Sequence, residues 1–182
     1  DVYKRQLLGT FLAGVAAARC VAGDAETLSY YLNCWQSLFS VQDAAGAVRL
    51  FRTEFLTVAG ALTAVLFLGL SALGPLPIFL FAMLYGTGSG LLSSRLLVDL
   101  NPRTAFVLLC VCGIPASLAD GTLCTFGASA LQVSGRLCSA AFGRGGQAPS
   151  TGALLGQFAR MLFLLLPLCG AAVGMLYLAC LL

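Results

Sequence analysis

The sequence predicts an all-α, polytopic membrane helix bundle: five transmembrane helices, an interfacial amphipathic helix and a broken fourth segment. Three observations predict it. Residues 55–94, between Glu54 and Arg95, form a run of 40 without one charged side chain. Hydrophobic residues make up 59% of the chain and charged residues 9%, where soluble domains hold about 45–50% and about 25%. The mean hydropathy of +0.95 leaves too little polar material to cover a water-facing surface. Residues 7–182 therefore read as a single integral membrane domain whose core lies between helices.

Residues 1–6 (DVYKRQ) resemble the translation of an adaptor end used in sequencing libraries. They are set aside as a non-native scar, which implies a first helix cut short. Leu7–Gly23 is then the surviving part of span one, with Arg19 near enough to its end to reach the interface.

Residues 24–54 differ in character, with Asp24, Glu26, Asp43, Arg49, Arg52 and Glu54. Within them Leu28, Tyr31, Leu32, Trp35, Leu38 and Phe39 recur at three- and four-residue spacing. This predicts an amphipathic helix over about 27–41, with Ser29, Asn33, Gln36, Ser37 and Ser40 on the other face. The aromatic residues suit a water–lipid boundary or a docking surface for a partner. A helix packed on the ends of the spans is the equal alternative.

A spanning helix needs about 20 apolar residues to cross roughly 30 Å of hydrocarbon. The uncharged run therefore holds two spans, 55–73 and 76–98, turned by Gly74-Pro75-Leu76-Pro77. Ala82, Gly86 and Gly90 fall at four-residue steps on one face of span three, and Gly170 and Gly174 repeat the spacing in the last span. Such faces predict close helix packing. The Gly-x-Gly-x-Gly pattern at 86–90 lacks the strand–helix context of a phosphate loop. Arg95 and Asp99 read as an interfacial anchor.

Residues 104–135 contain one charge, Asp120. As one helix they would measure about 48 Å, too long for one crossing and too short for two. Gly113-Ile114-Pro115 supplies a break, predicting an arm over 104–113, re-entrant or interfacial, and a span over 115–136. A Gly/Ser/Pro/Gln-rich connector follows over 143–156, then the uncharged fifth span, 161–182, in which Pro167 is a potential kink. The connector side carries Arg136, Arg144 and Arg160 without an acid, which places the N-terminus in the cytoplasm and the C-terminus outside.

Little here points to chemistry. The net charge is +3, and +2 without residues 1–6, too small for a nucleic-acid surface. No histidine is present, which removes the commonest metal ligand and general base. Most of the eight cysteines lie in or beside apolar helical segments, where they act as small hydrophobes. The Cys110-x-Cys112 pair lacks a metal or redox spacing. No P-loop occurs, and Asp120 has no second buried aspartate to form a proteolytic pair. The expectation is a non-enzymatic protein without cofactor or metal. Asp120 is the one candidate polar membrane site, with Ser117, Gly121, Thr122 and Thr125 as possible pocket neighbours; satisfaction by those hydroxyls or an interfacial position is the alternative.

The layout resembles the stage II sporulation protein M family of endospore-forming bacteria, over about Leu7 to Leu182. The resemblance is carried by Leu68–Pro77 (LGLSALGPLP) with Leu80–Leu91 (LFAMLYGTGSGL), similar to that family's central hairpin, and by Asn101-Pro102 with Gly113-Ile114-Pro115, similar to its broken fourth segment. It implies a five-span scaffold in the cell membrane. There it would anchor two peptidoglycan-degrading partners, stage II sporulation proteins D and P, during engulfment. The family offers no catalytic motif to carry over. The competing expectation is a small transporter or permease subunit using Asp120 and the broken helix near Gly113-Pro115.

Overall fold

A computed structural model describes residues 2–21, 43–99, 113–142 and 151–181, with side chains except at 19–21, 95–99 and 178–181. Among the described residues every regular element is helical: α1 (Val2–Val21), α2 (Ala44–Gly69), α3 (Pro75–Asp99), α4 (Ile114–Ala141) and α5 (Thr151–Leu181). Three of them, α2, α3 and α5, are long and apolar enough to cross a membrane. α1 and α4 are not among these three. α1 holds Lys4, Arg5 and Arg19, and α4 holds Asp120, Gln132 and Arg136 among many small residues. The expected amphipathic helix at 27–41 and the arm at 104–112 lie outside the described residues.

The helices alternate in direction. Phe11, Val15 and Ala18 of α1 meet Gly86 and Gly90 of α3 in ascending order, so the two are parallel. Gly69 of α2 meets Ala130 of α4, and Val65 approaches Gly127, so α2 and α4 are parallel too. Leu50 of α2 packs on Val173 and Leu176 of α5, and Phe158 of α5 on Phe126 of α4. α5 therefore opposes both, and the odd helices run one way and the even helices the other. α4 is the hub, touching all four others. Its buried side is built from small residues and three large ones: Ala119, Leu123, Cys124, Phe126, Gly127, Ala128, Ala130, Leu131 and Ser134.

The tightest seam joins α1 to α3. A Cβ on Gly14 would overlap the Met83 carbonyl oxygen, and one on Gly86 would overlap that of Phe11. A Cβ on Gly90 would stand 2.8 Å from the Val15 carbonyl oxygen. Ala82 completes the α3 side of the seam and is buried. Glycines on both helices thus let backbone lie on backbone, where van der Waals contact is the main attraction available between apolar helices.

The turn between α2 and α3 is held from outside. α2 stops at Gly69, short of the expected Leu73. Beyond it Leu70 N–H donates to Leu66 O, Ser71 N–H to Leu68 O and Gly74 N–H to Ser71 O. Ser134, fully buried on α4, donates its hydroxyl to the Ser71 carbonyl at 2.5 Å. Gly74 leaves no room for a side chain between the Leu68 carbonyl and this hydroxyl. Pro75 opens α3, where a missing N–H costs nothing.

Two boundaries correct the sequence reading. Residues 151–156, expected in the connector, are the first turns of α5. Leu154 is buried in the main core, and packing overrides the low helix propensity of Gly152 and Gly156. Residues 2–6 likewise continue α1. Gly113 and Pro115 mark the start of α4, with Pro115 in its first turn, and α5 passes through Pro167 without a break in helix.

Gly86→Leu should destabilise the bundle by about 1–3 kcal/mol, the scale of overpacking, in a denaturation titration in detergent. Gly88→Leu, at a position with nothing within 4 Å, should leave the midpoint nearly unchanged. Ser134→Ala should cost about 1 kcal/mol, the net worth of a buried hydrogen bond.

Candidate functional site

Apolar contact fills the bundle interior. Leu7, Phe11, Val65, Ile78, Phe81, Ala82, Leu123, Cys124 and Gly127 surround a void of about 10 Å³, about the least volume that holds one water. Phe11 and Phe81 both pack near Tyr85, at 6.4 and 6.1 Å between ring centroids.

Asp120 is half-buried on α4, ten residues from the Ala130–Gly69 contact and so about 15 Å along the helix. Its hydroxyl neighbours are spent on their own helix. Ser117 donates to Ile114 O at 2.8 Å, Thr122 to Ala119 O at 2.7 Å and Thr125 to Gly121 O at 2.8 Å. This back-bonding hides each hydroxyl from an apolar surrounding. It does not build the pocket that Ser117, Gly121, Thr122 and Thr125 could have formed.

What Asp120 acts on instead is one group of another helix and one of its own. It lies within Coulombic reach of the Tyr85 phenol on α3 and of Cys124 one turn along α4. Cys169 on α5 reaches the same phenol and also the Glu54 carboxyl on α2. Glu54, expected at the edge of a loop, is half-buried inside α2. Tyr85 on α3 thus has Asp120 and Cys124 of α4 and Cys169 of α5 within Coulombic reach, and among the described residues Glu54 of α2 is linked to this set only through Cys169. Among the described residues no basic side chain acts on either carboxyl. Nor do three His, Cys, Asp or Glu side chains stand close enough there to hold a metal ion. Sequence reasoning found Asp120 and missed Glu54 and Tyr85. Glu54 was hidden by its place at the border of the uncharged run, and Tyr85 by being one aromatic among many.

The other candidate residues are scattered. Ala82, Gly86 and Gly90 form the α3 side of the seam, whose α1 side, Gly14 with Ala18 four residues on, the sequence reading passed over. Gly170 and Gly174 are exposed, with nothing within 4 Å of a Cβ on either, so no described helix uses that face. Leu28, Tyr31, Leu32, Trp35, Leu38 and Phe39 lie outside the described residues. Large apolar side chains point outward over much of the surface, including Leu12, Leu56, Phe67, Leu80, Leu84, Leu118 and Phe163, each more than half exposed.

No known protein family, characterised protein or solved structure matches this chain.

Cys124 and Cys169 are buried and Cys138 is half-buried near the end of α4. Maleimide labelling of the folded protein in detergent, mapped by peptide mass spectrometry, should modify Cys138 before the other two. Cys124 and Cys169 should react only on unfolding.

Proposed function

We propose that this chain is a non-enzymatic scaffold crossing the bacterial cell membrane five times, and that it anchors peptidoglycan-degrading partners during sporulation, as its resemblance to the stage II sporulation protein M family implies. The observation that carries the reading is the strict alternation of five helices around α4. Helices that cross a bilayer one after another must alternate in this way. α1 and α4 are too polar to be picked out by apolarity alone, but they lie between apolar neighbours and run in the required directions. The interior favours holding over transforming: it is committed to backbone seams, and the hydroxyls along α4 are turned onto their own carbonyls.

The proposed orientation rests on the balance of charge: Arg136, Arg144 and Arg160 stand on one side without an acid, whereas Arg49 and Arg52 on the other share residues 24–54 with four acids. The half of the bundle nearer the Leu70–Gly74 turn carries exposed Arg136 and Arg160, the latter just past the Phe158–Phe126 contact. Placing the end with this turn in the cytoplasm satisfies the positive-inside rule. The N-terminus is then cytoplasmic, and residues 24–43 and the C-terminus are outside, on the side where wall-cutting partners work. The segment with Trp35 and its apolar stripe is the proposed partner surface. Stage II sporulation proteins D and P are the proposed partners.

A second reading, a small transporter or permease subunit, is favoured by one observation: two half-buried carboxyls, Glu54 and Asp120, inside the helices without a compensating cation among the described residues. A proton or a cation would balance that charge.

Detergent co-purification from sporulating cells should bring wall hydrolases down with the tagged chain, and deletion should stall engulfment. Asp120→Asn should leave both unchanged. Loss of solute uptake in Asp120→Asn, with normal engulfment in the deletion strain, would replace the scaffold by the carrier. Cys34 should react with a membrane-impermeant thiol reagent on intact cells; protection until lysis would reverse the orientation.

A further inference from the structure

At the end of the bundle away from the Leu70–Gly74 turn, the first turns of α2 carry an open groove of about 590 Å³, lined among the described residues by Ala45, Val48, Arg49, Arg52, Thr53 and Leu56, with Thr57 at its far end. Arg49 and Arg52 are both exposed and, three residues apart, share one helix face. Among the described residues no acid lines the groove. Glu54, the nearest carboxyl in sequence, lies within Coulombic reach of Cys169 on α5, which places it on the side turned toward the bundle. The two threonines are already engaged: Thr53 donates to Arg49 O at 2.9 Å and Thr57 to Thr53 O at 2.8 Å. Among the described residues the polar character of the groove is therefore that of two guanidinium groups. Val48 and Leu56, 66% and 56% exposed, flank them with apolar surface.

Depth sets what can meet this pair. Counting back from Gly69 at 1.5 Å per residue, Arg52 lies about 26 Å and Arg49 about 30 Å along α2. That matches the roughly 30 Å of a hydrocarbon core, so both side chains reach the layer of lipid phosphates. A guanidinium fork matches a phosphate oxygen pair, while Leu56, one turn deeper, faces the acyl region.

We propose that the Arg49–Arg52 groove is a binding site for an anionic phospholipid, with the headgroup phosphate held between the two guanidinium groups and an acyl chain laid along Val48 and Leu56. The proposal rests on the membrane placement of α2 and on no protein partner.

The test uses the full chain reconstituted in mixed phosphatidylglycerol and phosphatidylcholine, with retained lipid identified by native mass spectrometry. The wild type should retain phosphatidylglycerol preferentially. R49Q/R52Q should lose about tenfold or more of that preference, on the scale of two basic groups at an anionic surface. R136Q/R160Q removes the same charge in the opposite half of the bundle and should keep it. Equal loss in both double variants would reduce the effect to general surface attraction and overturn the site. Displacement of the lipid by excess inorganic phosphate would overturn the lipid as its ligand. If R49Q/R52Q does not fold, the wild type decides: its preference should vanish at about 1 M salt, where the Debye length is about 3 Å, and persistence there would overturn the ionic contact. Retained lipid without headgroup preference would sink this site and leave the membrane reading standing; a chain soluble without detergent would sink both.

Discussion

Apolar helices in an apolar surrounding gain little by hiding from solvent, so they must fit closely. Everything in this fold depends on that constraint. The α1–α3 seam meets it in the strictest way, because the backbones themselves touch where Gly14, Gly86 and Gly90 leave no side chain between them. α4 meets it by presenting Gly127, Ala128, Ala130 and Ser134 to its neighbours. Gly69 against Ala130 and Leu7 over Gly127 fix the heights of α2 and α1 on that hub. Large residues such as Phe126, Leu62 and Leu165 then fill the spaces that the small ones define.

The same constraint governs the polar groups. Thr53, Thr57, Thr63, Thr87, Thr122 and Thr125 each donate to a carbonyl three or four residues earlier. They are polar in composition and apolar in effect. Ser134 is the exception, since its hydroxyl crosses to the turn after α2 and ties the hairpin to the hub. The carboxyls of Glu54 and Asp120 have no comparable way to bond their own helix. Both are half-buried, Asp120 within Coulombic reach of Tyr85 and Cys124 and Glu54 within that of Cys169.

Much of this was legible in the sequence and some was not, for definite reasons. The turn at Gly74-Pro75 was legible because proline and glycine act locally. The Ala82–Gly86–Gly90 face was legible because three small residues at one spacing leave a pattern. Gly14 and Ser134 were not, since the meaning of each lies in a partner about 70 or 60 positions away. Gly170 and Gly174 show the opposite limit: spacing marks a face that permits close approach, but not whether a neighbour uses it. The start of α5 was missed because Gly152 and Gly156 speak for a loop, while burial of Leu154 decides for a helix. Glu54 was placed too far out because a run of uncharged residues marks where apolarity begins, whereas α2 begins ten residues before Glu54.

The parallel seam between α1 and α3 also sets an order of assembly. Ala18 rests beside Gly90, so α1, which leaves the ribosome before α3, has its closest companion among the residues made some 70 positions later. It must wait, upright and without that companion, while α2 and the turn are completed and α3 arrives alongside. Nascent α1 is thus the element most open to capture by a chaperone or by a foreign helix, and the speed at which α3 follows decides how long that window lasts.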